Sequence, residues 1–233
     1  MGAPGARPKL SVIMPVYNER ATVAEIIRRI QEVEISKEII ALDDASTDGT
    51  REILQGLERD GIRVICHETN QGKGAAIRKA LNYANGELVI IQDGDLELAP
   101  DDYLRLIEPI LEGRAEVVYG SRRLAPDSAA PNLLFRLGGV FLTGLTNLLY
   151  GSKLTDEATC YKMFPLELLK GLDIKANRFE FCPEVTAKIL KRGLTIHEVP
   201  IHYSPRTSDE GKKIRWRDGF AAAWTLIKYR FVA

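Results

Sequence analysis

Leu88-Val89-Ile90-Ile91-Gln92-Asp93-Gly94-Asp95 is the stretch on which the reading of this chain turns. Four apolar residues in a row read as a buried strand. The run then stops on two carboxylates two positions apart, which along a regular strand would share one face. Gly94 between them lets the backbone turn sharply or come close to a ligand. Carboxylates at the carboxyl end of a strand suit a hard divalent cation, Mg²⁺ or Mn²⁺, which in turn grips phosphates. The same pattern also makes ordinary polar turns, because Asp and Gly dominate them. The surrounding chain has to decide.

Upstream, the chain alternates. Leu10 to Val16 is a short apolar strand, with Pro15 near its end marking the exit into a loop. Val23, Ile26, Ile27 and Ile30 form the buried stripe of a helix, and Thr22 with Glu25 resembles a capping box. Ile39 to Leu42 is a second strand, closing on Asp43-Asp44, and Ile62 to Cys66 a third. Asn70-Gln71-Gly72-Lys73-Gly74 leads into a helix through Ala76, Ile77, Ala80 and Leu81. Strand and helix alternate three times before Leu88, which predicts an α/β fold: a mainly parallel sheet with helices on both faces and ligands outside the strands' carboxyl ends. Four polar clusters fall at those ends: Tyr17-Asn18-Glu19, Asp43-Asp44, Asn70 to Lys73, and Asp93-Gly94-Asp95. Four together favour a ligand site over turn chemistry.

Composition sets the outer bounds. The 233 residues carry 32 basic and 32 acidic side chains, so bulk charge gives no reason to expect a nucleic-acid partner. Three scattered cysteines, Cys66, Cys160 and Cys182, form no metal-ligand pair and fit a reducing cytoplasm. Residues 1–8 read as a disordered tail without the apolar core of a signal peptide. No apolar run reaches the roughly 18 residues of a spanning helix.

Downstream, Ala115 to Tyr119 is another strand, leading to Gly120-Ser121-Arg122-Arg123. Leu133 to Tyr150 has little polar face, so this helix is either deeply buried or leans on a membrane surface. Arg136 interrupts it, and a charge within an apolar helix needs a partner. Thr155 to Phe164 turns from polar to alternating and is expected to re-enter the sheet. Thr195 to Ile201 is a strand, placed at an edge by Pro200. The tail is basic and carries Phe220, Trp224, Ile227 and Tyr229. It reads either as a solvated helix face or as phosphate capture beside a membrane.

The ordered set Pro15-Val16-Tyr17-Asn18-Glu19, Asp43 to Thr50, Asn70 to Gly74 and Gln92-Asp93-Gly94-Asp95 closely resembles family 2 glycosyltransferases of the GT-A fold. Gly120-Ser121-Arg122 and Thr155-Asp156-x-x-Thr159 narrow the resemblance to the polyprenyl-phosphate sugar transferases related to dolichol-phosphate mannose synthase. The likeness runs over nearly all of residues 9–231. Two motifs depart from it. The metal motif is commonly Asp-Ala-Asp, and the later motif commonly continues Thr-Gly-Phe where this chain has Thr159-Cys160-Tyr161. The resemblance implies one Rossmann-like domain over residues 9–233, with a nucleotide-sugar half at 9–97 and an acceptor half at 98–233.

It also implies the chemistry. The donor is a UDP- or GDP-linked sugar. Pro15, Tyr17, Glu19 and Asp44 frame its base and ribose, where Tyr17 offers a stacking face and the carboxylates accept hydrogen bonds. Lys73, at a helix start, can approach the diphosphate beside Asp93 and Gly94. Asp93 and Asp95 hold Mg²⁺ or Mn²⁺, with Glu97 completing the shell, and the sugar is transferred with inversion. A hydroxyl acceptor needs a general base, for which Asp156 is the candidate. A polyprenyl phosphate is already anionic, its second pKa being about 6, and needs cations instead. Arg122, which joins the two aspartates as a catalytic candidate, Arg136, Arg206, Lys212 and Lys213 are those cations, arginine matching phosphate oxygens bidentately. The expected setting is peripheral, at the cytoplasmic face of the cell membrane. Three other readings are a transferase to a sugar hydroxyl, a non-catalytic nucleotide-sugar-binding protein and a nucleotidyltransferase. The last lacks a Gly- and Arg-rich loop after the first strand. Oligomeric state is not legible in the residues.

Overall fold

The computed structural model describes residues 9–58, 62–125, 133–206 and 216–232. The expected tail at 1–8 and the candidate ligands Lys212 and Lys213 lie outside the described residues. The fold is α/β and its sheet mainly parallel. It divides into two compact units, Met1–Leu96 with Met163–Arg178, and Glu97–Lys162 with Phe179–Ala233.

The first unit alternates as the sequence predicts: β1 (Leu10–Val16), α1 (Val23–Glu32), β2 (Lys37–Asp43), α2 (Thr50–Leu57), β3 (Ile62–Cys66), α3 (Lys73–Leu81) and β4 (Leu88–Ile91). β1 sits between β2 and β4, parallel to both, so Ile13 faces Ile40 on one side and Ile91 on the other. Ile13, Ile40 and Ile90 are fully buried. Strands covered on both faces read as continuous apolar runs, and each such side chain contributes about 1.5–3 kcal/mol on burial. β6 (Lys162–Pro165) brings Met163 to Pro165 back to this unit and pairs antiparallel with β4. α1 buries Val23, Ile26, Ile27 and Ile30, the stripe read from their spacing. The capping box is not formed. Thr22 makes no side-chain cap bond, and Glu25 instead pairs with Arg28 and Arg29.

The second unit holds α4 (Tyr103–Leu111), β5 (Val117–Ser121), α5 (Leu133–Tyr150), α7 (Phe181–Lys191), β7 (Ile196–Pro200) and α8 (Trp216–Phe231); the short α6 (Leu166–Lys170) belongs to the first. β7 runs parallel to β5, and among the described residues it pairs with no other strand, as Pro200 suggests. Ala187, Leu226 and Tyr229 form a small core against which Leu142, Leu145, Leu149 and Tyr150 of α5 pack. Tyr150 Oη closes that contact by donating to Leu226 O at 2.7 Å. α5 is not deeply buried: Leu137, Phe141 and Leu148 are 56, 63 and 82% exposed, while Thr143 and Thr146 face inward. Among the described residues no helix is long and apolar enough to cross a membrane.

Candidate active site

The loop after β4 carries Asp93 and Asp95. Asp95 is buried, while Asp93 is partly exposed and accepts a hydrogen bond from Lys73 Nζ at 2.5 Å. Lys73 is the first residue of α3, so its charge enters from a helix N-terminus. Thr22 Oγ1 lies 2.8 Å from Gly94 O and 3.0 Å from Glu19 Oε2. The hydroxyl that the sequence assigned to capping is therefore tied to the acidic loop. A Cβ at Gly94 would stand 3.3 Å from Glu19 Cγ and 3.4 Å from Val16, so only a small residue fits between the aspartates.

The strand-end loops of β1 and β2 are stitched together. Asn18 N donates to Ser46 Oγ at 2.9 Å, and Thr47 N to Asn18 Oδ1 at 2.8 Å. Asn18 and Ala45 both have left-handed backbone, φ 50° and 63°. That conformation costs a non-glycine residue free energy, and the crosslinks hold it. Pro15 and Tyr17 are half-buried and Glu19 is nearly covered.

Asp44, at the end of β2, organises the loop before α3. Its Oδ1 accepts Gln71 N at 2.8 Å and its Oδ2 accepts Gly72 N at 2.7 Å. His67 Nδ1 donates to Oδ1 at 2.7 Å. A carboxylate has about four acceptor positions, so Asp44 is mostly occupied by its own chain and retains room for one further donor. His67 is buried against this carboxylate. No local signal marks it, because its partner lies 23 positions away.

In the second unit, Arg122 follows the last residue of β5 and meets Asp156. Asp156 accepts Arg122 N at 3.1 Å and Nε at 2.7 Å on Oδ2, and Nη2 at 2.8 Å on Oδ1. Asp156 is 1% exposed and the Arg122 side chain 26%. Burial pushes the Asp156 carboxyl up, but the Arg122 charge and hydrogen bonds outweigh it and hold the group below its usual range. Burial also opposes the Arg122 charge, and Asp156 again outweighs it, raising the guanidinium further. The guanidinium carbon stands 5.1 Å from the Tyr203 ring centroid. Its Nη1 edge has no partner among the described residues. Glu198 fixes the motif from behind, accepting Thr155 N at 2.7 Å and Asp156 N at 2.9 Å.

Glu97 also belongs to this unit, where its carboxylate accepts Arg206 N at 3.1 Å and lies 3.6 Å from Arg206 Nε. Arg136 is exposed in α5 rather than enclosed by apolar groups, so solvent satisfies the charge that was expected to need a partner. His202 Nδ1 stands 3.0 Å from Asp102 Oδ1. Among the described residues no three His, Cys, Asp or Glu side chains group as a metal-binding set.

A mainly parallel α/β fold with an acidic pair beyond a central strand defines the GT-A class of sugar transferases. The chain belongs to glycosyl transferase family 2, whose family model matches residues 11–172. It is similar to the UDP-N-acetylglucosamine–dolichyl-phosphate N-acetylglucosaminyltransferase of Methanococcus voltae, 31% identical over 210 residues, covering 82% of this chain and 83% of that one. It is also similar to an undecaprenyl-phosphate 4-deoxy-4-formamido-L-arabinose transferase of Pseudomonas aeruginosa, 32% identical over 215 residues, covering 87% of this chain and 60% of the relative. Among solved structures, glucosyl-3-phosphoglycerate synthase of Mycobacterium tuberculosis, in complex with Mn²⁺, UDP-glucose and phosphoglyceric acid, matches with a TM-score of 0.73. That match covers 97% of this chain and 81% of the other at 22% identity, a likeness of fold.

Proposed function

We propose that this glycosyltransferase moves a sugar from a UDP- or GDP-linked donor to a polyprenyl phosphate, with inversion, at the cytoplasmic face of the cell membrane. One observation carries the choice of acceptor. Asp156, the candidate general base, is buried and consumed by Arg122, while Nη1 of that same guanidinium has no hydrogen-bond partner among the described residues. A carboxyl held below its usual range is a poor base. A half-locked arginine is a ready phosphate ligand, pre-oriented by its partner. A lipid phosphate brings its own anionic oxygen and needs no base. That oxygen forms the bond to the anomeric carbon as the bond to the nucleotide diphosphate breaks on the opposite face. The names of the two relatives, both transferases to a polyprenyl phosphate, support the same reading.

On the donor side, Tyr17, Pro15, Glu19 and the remaining acceptor position of Asp44 receive base and ribose, and Lys73 meets the diphosphate. Asp93 and Asp95 would hold Mg²⁺ or Mn²⁺, with Glu97 as a further proposed ligand. The donor set fits: the oxygens are hard, and Mg²⁺ commonly takes only one or two protein carboxylates and completes its shell with substrate phosphates and water. When bound, the ion neutralises charge gathering on the departing nucleotide. The related solved structure that contains Mn²⁺ and UDP-glucose supports such a site. Arg206, Arg136, Lys212 and Lys213 are the further proposed cations for the acceptor.

The test offers UDP-N-acetylglucosamine, UDP-glucose and GDP-mannose with a polyprenyl phosphate, with Mn²⁺ and with chelator, and identifies products by mass spectrometry. A lipid-linked sugar that requires the metal and disappears in Asp95→Asn is expected. Transfer only to sugar hydroxyls, or full activity in chelator, overturns the proposal.

A further inference from the structure

Helix α8 is inside out. The face it buries holds Ala222, Thr225, Leu226 and Tyr229, while Phe220, Trp224, Ile227 and Phe231 are 71, 65, 36 and 80% exposed. Positions 220, 224, 227 and 231 follow helical spacing and make one continuous stripe. A helix that turns three aromatic residues to the outside loses the free energy of their burial unless something covers them.

Charge indicates what does. Arg217 and Lys228 lie beside the stripe on one flank and Arg230 on the other, all exposed. The helix has one acid, Asp218, which is partly buried and lies towards the packed side. Aromatic and aliphatic groups bordered by cations match an anionic lipid surface, where rings enter the headgroup boundary and cations meet lipid phosphates. A second copy fits poorly, because pairing stripe to stripe would set these cations against their own kind. α5, which packs along α8, carries the exposed Leu137, Phe141 and Leu148 described above.

We infer that α8 lies in the plane of an anionic membrane surface with Phe220, Trp224, Ile227 and Phe231 inserted and Arg217, Lys228 and Arg230 on lipid phosphates. This gives the proposed peripheral enzyme its docking face and depends on that reading only for its purpose. Because no described helix can span the bilayer, the contact is interfacial.

The test sediments the full chain with phosphatidylcholine vesicles, with and without phosphatidylglycerol. Binding to the anionic vesicles is expected, weakened by salt, and reduced about ten-fold or more in Phe220→Ser/Trp224→Ser/Phe231→Ser. Lys228→Glu/Arg230→Glu, which leaves the apolar stripe intact, is expected to abolish the preference for anionic lipid. In a Trp216→Phe background, Trp224 fluorescence should shift to the blue on vesicles. Vesicle binding unchanged in the triple variant overturns the inference, and so does a solution dimer that the triple variant splits. Transfer to a short-chain, water-soluble prenyl phosphate separates the two proposals. If wild type fails there, the acceptor assignment falls while the vesicle result stands.

Discussion

Replacing Asp156 by Asn tests the second unit's central contact. The side chain keeps its shape but loses its charge, and one acceptor oxygen becomes an NH₂ group facing Arg122 N–H donors. Three hydrogen bonds converge on the wild-type carboxylate, at 3.1, 2.7 and 2.8 Å. Removing one partner of a buried pair costs about 3–5 kcal/mol. Because the Arg122 side chain is 26% exposed, solvent recovers part of its charge, and the low end, about 3 kcal/mol, is expected. For a chain of this size that corresponds to a fall in Tm of roughly 6–12 °C.

Urea unfolding at pH 7 measures the loss directly, and acidification checks its origin. The Asp156 carboxyl is held below its usual range in the folded state. Its contribution is therefore complete above the unfolded value of about 3.9 and disappears as pH falls through the lower folded value. The gap between wild type and variant should close in that window. Asp156→Asn should also lower kcat/KM for the lipid phosphate by releasing Arg122, and a double-mutant cycle with Arg122→Met should show strong coupling. A loss under about 1 kcal/mol, or a gap that ignores acid, would refute the argument that the pair is a desolvated structural and functional unit.

The first unit supplies three further tests. Gly74→Ala would place a Cβ 2.4 Å from Ala176 O, so overpacking should cost about 1–3 kcal/mol in urea unfolding; an unchanged midpoint would show that the backbone at Ala176 and Asn177 gives way freely. His67→Ala removes a donor from the buried Asp44 carboxylate, a loss of about 1–3 kcal/mol, and should raise KM for the nucleotide sugar more than it lowers kcat, with His67→Asn restoring part; an effect on kcat alone would remove His67 from shaping the donor loop. Lys73→Met frees Asp93 from a competing cation, so Mn²⁺ alone should bind about five-fold more tightly by calorimetry while nucleotide affinity falls, the size following from a pair only partly shielded from water; weaker binding of Mn²⁺ alone would show that Lys73 does not compete for Asp93.

Local pattern carried the sequence reading far. The strands of the first unit are apolar runs, the stripe of α1 repeats at helical spacing, and Asp44 and Asp93 fall where such runs stop. These are properties of neighbouring residues, and periodicity reports them without any knowledge of partners. Family membership was legible for the same reason, since its motifs are short and ordered. Thr22 shows the limit. Its capping pattern with Glu25 is sound locally, but the folded chain brings Gly94 O, 72 positions distant, to its hydroxyl, and the nearer arginines take Glu25.

Tertiary structure decided whatever depends on which surfaces meet. Only the folded chain buries His67 against Asp44, turns Asp156 from a candidate base into the locked partner of Arg122, and leaves Arg136 in solvent. It also chose the orientation of α8. That helix has apolar residues on both faces, so the sequence sets no inward side. Packing against α5 and α7 selected the side with Leu226 and Tyr229, and left the aromatic stripe facing out. Short-range chemistry fixed where the elements begin and what they can bind. Long-range contact fixed which of those groups remain available, because a hydrogen bond or a covered face is shared with a partner that local sequence does not contain.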